Sequence, residues 1–141
     1  MLEDRLTGIR PYLLSLLRII AGFGFCLHGF QKIFGVLGGA GGSGQPAQFL
    51  TLIWVAGILE LVGGLLILVG LFTSPAAFIL SGQMAVAYFM AHAPKGFWPV
   101  HNGGELAMLY SFLFLYLFAA GGGPWSLDRV LFKKKGGPAS S

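Results

Sequence analysis

Apolar residues in this chain gather into four runs, separated by short polar or glycine-rich stretches. Each run is too continuously hydrophobic for a helix with one face in water. The first covers residues 11–34 and opens on Pro11, a residue suited to the first turn of a helix. At 1.5 Å per residue it extends about 36 Å, enough to cross a bilayer core of about 30 Å with some tilt. The second covers residues 49–72 and the third residues 75–92, opened by Pro75 after the tight connection Thr73-Ser74. The fourth covers residues 103–120 and stops at Gly121-Gly122-Gly123-Pro124. The pattern predicts an all-α protein, a four-helix transmembrane bundle.

The stretches between the runs read as connections. Residues 35–48, GVLGGAGGSGQPAQ, have no periodicity and no charge, which suits a flexible loop or a loop that covers a site. No strand precedes it and no Lys-Ser/Thr follows, so it is not a phosphate cradle. Residues 93–102, APKGFWPVHN, form a second loop. The domain reading is a polar lead over residues 1–10, a membrane domain over 11–132 that includes a short interfacial segment at 125–132, and a basic flexible tail over 133–141.

Composition and charge fix the setting. The chain is 55% hydrophobic and only 10% charged, where a soluble domain carries about 25% charged residues. It is an integral membrane protein with the lipid bilayer as its surroundings. The net charge of +4 reflects topology and not nucleic acid: Arg5, Arg10, Arg129, Lys133, Lys134 and Lys135 fall on one side. The other side holds Lys95, with Lys32 at a helix end. The positive-inside rule then puts both termini in the cytoplasm, with Trp54 and Trp98 at the outer interface and Tyr12 and Trp125 at the inner one. The single cysteine, Cys26, excludes a disulfide framework and a CxxC redox pair.

Four charged residues remain inside the runs: Arg18, Lys32, Glu60 and Glu105, which sum to zero. Unpaired charge in hydrocarbon is costly, so each must face protein and find a partner. Glu60 is the central problem, near the middle of the second run among Gly57, Gly63 and Gly64, whose small size admits a neighbouring helix. At 100° per residue Arg18, His28 and Lys32 share one stripe of helix one. Lys32 either pairs with Glu105 or snorkels to the outer headgroups. Arg18 either pairs with Glu60 or reaches inward to the cytoplasmic side. His28 either hydrogen-bonds a neighbouring helix or serves a site. Layered by depth, Lys32, His92, His101, Asn102 and Glu105 are outermost, His28 is one turn deeper, and Glu60 and Gln83 are central. This layering predicts a polar cavity opening outward with Glu60 at its floor. Three histidines and two glutamates show no HxxxH or ExxH spacing, so no metal site is expected.

Three segments resemble one family. LRIIAGFGFCLHGFQKIFG is similar to the opening helix of the DoxX family, with its Arg, HG and K-x-FG. GILELVGGLLILVGLFTSPAA resembles that family's second helix, and NGGELAMLYSFLFLYLFAAGGGPWSLD its last. The resemblance covers nearly the whole chain in order and assigns the motif positions to Arg18, His28, Gly29, Lys32, Glu60, Gly63, Gly64, Asn102 and Glu105. It implies a multi-pass protein of the bacterial inner membrane, associated in some relatives with quinone-linked oxidation and membrane oxidoreductase complexes.

Two functions follow as expectations. The first is a quinone-linked or redox-associated subunit of a membrane oxidoreductase, with quinone as the cofactor and other membrane subunits as partners. Here Glu60, His28, Lys32 and Glu105 are the candidates for proton chemistry. Arg18, Lys32, Glu60, Gln83 and Asn102 are the binding candidates, and Phe25, Phe30, Phe112 and Tyr116 the walls. The second is a non-catalytic accessory or assembly subunit, or a binder of a small hydrophobic molecule, in which the same charges fix helix register. Whether the chain is itself an enzyme stays open between them.

Overall fold

Helix α1 (Leu2–Phe34) runs for 33 residues without a break, so the predicted start at Pro11 falls inside it. A proline costs its helix one N–H bond. Here the flanking turns hold: Glu3 and Asp4 sit at the positive end of the helix dipole, and Ser15 Oγ donates to the Pro11 carbonyl at 3.3 Å. The polar lead therefore continues the first helix. Gly35, at φ 68°, ends α1 in the left-handed conformation. This computed structural model describes residues 1–133, and its regular elements are all helical. Lys134, Lys135 and the rest of the predicted basic tail lie outside the described residues.

Helix α2 (Leu52–Val69) begins later than the apolar run, because Leu50 is held at φ 63° and Thr51 caps the helix by accepting from the Trp54 N–H at 3.3 Å. Helix α3 (Thr73–Ala87) continues through a π turn, Tyr88–His92, and a 3₁₀ turn, Ala93–Lys95. A short helix α4 (Pro99–Asn102) lies in the second predicted loop, followed by α5 (Glu105–Ala120) and α6 (Leu127–Phe132). Among the described residues three segments are long and apolar enough to cross a membrane: Leu2–Phe34, Leu52–Val69 and Thr73–Lys95. Helix α5, with 16 residues, is shorter and equally apolar in character.

Packing divides these helices into two antiparallel pairs. In the first, α1 and α2 meet through glycines spaced seven apart on each helix, Gly22 and Gly29 against Gly57 and Gly64. A Cβ on Gly29 would lie 2.5 Å from the Leu61 nitrogen, and one on Gly64 2.8 Å from the Cys26 nitrogen. Backbone meets backbone here, which leaves no room for a side chain. In the second pair, Ser81 Oγ donates to the Ser111 carbonyl at 2.7 Å and Ser111 Oγ to the Ser81 carbonyl at 3.0 Å. That reciprocal clasp ties α3 to α5, and Phe78 packs on Phe118 at 5.2 Å nearby.

The two pairs are joined over half their length. Phe25 of α1 packs on Tyr110 and Phe114 of α5, at 5.2 and 4.9 Å between ring centroids, and Leu80 of α3 fills the notch left by Gly63. At the end nearest the termini the seam is polar. Arg18, fully buried, donates from Nε to the Gly122 carbonyl at 2.8 Å and from Nη1 to Ile67 and Leu68 at 2.6 and 2.5 Å. Its Nη2 reaches the Trp125 carbonyl at 2.5 Å. Ile67 and Leu68 are among the last carbonyls of α2, at its negative pole, and that of Ile67 also accepts from the Gly70 N–H at 3.2 Å. Asp128 then caps α3 by accepting from the Phe72 and Thr73 N–H groups at 2.7 and 2.9 Å.

The glycine contact generates a direct test. Gly64→Ala forces a methyl against the α1 backbone and is expected to cost about 1–3 kcal/mol, read as a fall in the melting temperature of the detergent-purified protein. Gly8→Ala, where the added atom meets nothing within 4 Å, should leave that temperature unchanged or slightly higher. Equal melting of the two variants would refute the tight α1–α2 seam.

Candidate functional site

Where the two pairs are not joined, a cleft opens between them with a volume of about 800 Å³. Its position follows from the packing just described: phenylalanine and leucine seal one half of the molecule, and no comparable wedge fills the other. The walls are mostly aliphatic and aromatic, among them Leu59 of α2, Met84 and Met90 of α3 and Tyr110 of α5. Three polar side chains meet at the floor, one from each of α1, α2 and α3.

Lys32, in the last turn of α1, places its Nζ 2.5 Å from Glu60 Oε1 and 2.6 Å from Oε2. Glu60 lies midway along α2 and is 2% exposed. Gln83, on α3, donates from Nε2 to Glu60 Oε1 at 3.1 Å and to the Ala56 carbonyl at 3.3 Å. Both of those neighbours are acceptors, so the amide nitrogen must be the atom that faces them. The triad is electrically neutral as a whole, and the ammonium has three donors of which Glu60 takes two. One Lys32 N–H thus has no partner among the described residues, and the side chain is 26% exposed at the cleft. The site offers a charge-assisted donor in an uncharged, apolar setting.

His28 lies one turn below Lys32 on α1 and lines the same cleft, with no side-chain hydrogen bond to another helix among the described residues. His92 stands at the other end of the cleft, its Nδ1 3.1 Å from the Asn102 carbonyl. Two of the binding candidates, Lys32 and Gln83, thus converge on Glu60, and His28 lines the same cleft.

Other expected partners are placed elsewhere. Arg18 does not pair with Glu60: it is bound by backbone carbonyls at the opposite end of the molecule. Lys32 does not pair with Glu105, which is exposed in the first turn of α5 and makes no ion pair among the described residues. Asn102 is buried, but its amide serves the chain itself: Nδ2 donates to Tyr88 Oη at 3.2 Å and to the Gly96 carbonyl at 2.9 Å, and Oδ1 accepts from the Gly104 N–H at 2.8 Å. It shapes the connection that carries His92 and Gly103 to the cleft. Of the expected walls only Phe25 is present, since Phe30, Phe112 and Tyr116 are exposed on the outer surface. Tyr110 and Met84 stand in their place. Tyr110 is readable as a wall only once the α1–α5 contact is known, because its helix is apolar all round. Among the described residues no group of three or more His, Cys, Asp or Glu is placed to hold a metal ion.

A family model described as DoxX matches residues 13–93. A protein of Haemophilus influenzae, called only "Uncharacterized protein", is 48% identical over 138 residues, covering 93% of this chain and 99% of its own length. A second from the same organism, with the same description, is 32% identical over 74 residues, 52% of this chain and 49% of its own. No solved structure matches.

The pair at the cleft floor has a measurable energetic signature. Glu60→Leu alone strands the Lys32 ammonium and should destabilise the protein by about 3–5 kcal/mol, whereas combining it with Lys32→Met should recover most of that loss. Thermal unfolding of the two singles and the double gives the coupling. Additive losses would mean that the two side chains do not depend on one another.

Proposed function

The chain belongs to the DoxX family, and on that premise we propose that it is a redox-associated subunit of a membrane oxidoreductase that binds a quinone head in the cleft between its helix pairs. One observation carries the reading: a neutral Lys32–Glu60–Gln83 triad, with one ammonium N–H left without a partner among the described residues, at the floor of an apolar cleft. A quinone ring is apolar on both faces and carries hydrogen-bond acceptors at opposite edges. The cleft residues fit those needs. Lys32 donates to one carbonyl oxygen, with Glu60 fixing the direction of the ammonium. Phe25 and Tyr110 exclude water from the ring faces.

Bound there, a quinone supplies two-electron, two-proton chemistry. His28 lines the same cleft and offers a ring nitrogen to exchange a proton with that ligand. Glu60 holds the Lys32 ammonium in place through both carboxylate oxygens. The sequence contains one cysteine, so the electrons enter from another membrane subunit in this reading. The same reading takes α5 as a fourth crossing and puts both termini in the cytoplasm of a bacterial inner membrane. Arg5, Arg10 and Arg129 on that side, against Lys95 on the other, support it.

The test is binding of a tailless benzoquinone to the purified protein in nanodiscs. The Lys32→Met/Glu60→Leu double variant, checked for folding by its melting temperature, is expected to bind at least about tenfold more weakly than wild type, a loss of about 1.4 kcal/mol or more. Glu105→Gln should bind as wild type does. Equal affinity in wild type and double variant would sink the assignment.

A further inference from the structure

The polar triad lies at an unusual depth. Glu60 is halfway along α2, so the floor of the cleft is near the middle of the bilayer, where a phosphate or other ionic headgroup is strongly disfavoured. The cleft also continues past the triad on both sides. On α3, Ile79, Val86 and Met90 share the face that carries Gln83, spaced at three and four residues, and on α2 Leu52, Ala56 and Leu59 form the facing stripe. Together they make an apolar furrow about 16 Å long by helical rise. Its rims are open: Ile79 is 55% and Val86 56% exposed, and at this depth that exposure is to hydrocarbon.

Resting on the quinone reading above, we infer that the α2–α3 furrow is the site for the hydrocarbon tail of a neutral-headed, bilayer-resident ligand, which enters sideways from the membrane. A water-borne molecule would have no use for a furrow that opens to lipid at the depth of the polar triad. A glycerophospholipid carries its charge at the wrong depth. A long-tailed quinone satisfies both constraints, with its ring at Lys32 and its chain leaving over the rim between Ile79 and Val86. These two side chains then act on affinity for the tail and leave recognition of the ring to the triad.

The experiment separates tail from ring. Val86→Trp fills the furrow from an exposed position and leaves Lys32, Glu60 and Gln83 intact. Two probes with the same dimethoxy-methylbenzoquinone ring, one tailless and one bearing a decyl chain, are titrated into wild-type and variant protein in nanodiscs. The decyl probe should lose about tenfold or more in affinity in the variant, and the tailless probe no more than about twofold. Ile79→Trp should reproduce the pattern. Equal effects on both probes, or none on either, would overturn the furrow while leaving ring binding in place. Stoichiometric phospholipid that a tailed quinone fails to displace would overturn it as well. Failure of wild type to bind either probe would end the quinone reading itself, and this inference with it.

Discussion

A polar group carried into hydrocarbon has to be met by protein, because lipid offers it nothing. This chain meets the requirement in two different ways. At the cleft floor the compensation is between side chains: Lys32 and Glu60 neutralise one another, and Gln83 adds a hydrogen bond from a third helix. At the other end Arg18 has no direct carboxylate partner among the described residues. Four backbone carbonyls surround it, two of them at the negative pole of α2. The first arrangement leaves a donor available to a ligand. The second uses the guanidinium to fasten α1, α2 and the segment before α6 together.

That contrast explains which part of the site was legible in the sequence. The apolar runs located the helices, and a lone glutamate among glycines marked the place where another helix must approach. Helical depth placed Gln83 level with Glu60, but it set Lys32 in the outermost layer beside Glu105; the long lysine side chain reaches down to Glu60 from the last turn of α1. Arg18 misled because its partners are carbonyls, which every residue has and no sequence displays. Glu105 misled through arithmetic: four intramembrane charges that sum to zero suggest two pairs, yet Glu105 stands in an exposed first turn of α5. Asp128 carried a weak signal in Ser126-Leu127-Asp128, a helix-start pattern, but nothing local reveals that it caps α3 as well.

The boundaries that shifted did so for backbone reasons. Pro11 reads as a start because proline is favoured there, although an apolar helix tolerates one missing bond. Residues 49–51 read as helix because they extend a hydrophobic run, while Leu50 adopts a left-handed conformation that apolarity alone does not foretell. The cleft depended on more than any one helix. It exists because glycines draw α1 onto α2 and serines draw α3 onto α5, so that space is left between pairs and not within them.

The π turn at Tyr88–His92 has a geometric effect on what the cleft presents at its far end. In an uninterrupted α-helix, nine residues separate Gln83 from His92 by about half a revolution, which would aim the imidazole away from the cavity. Widening one turn adds a residue to it and slows the rotation of everything that follows. His92 is swung round to the cleft by that slower winding, within reach of the Asn102 carbonyl. An irregularity in pitch thereby adds an ionisable side chain to a face that regular winding would have left with Gln83 as its polar group.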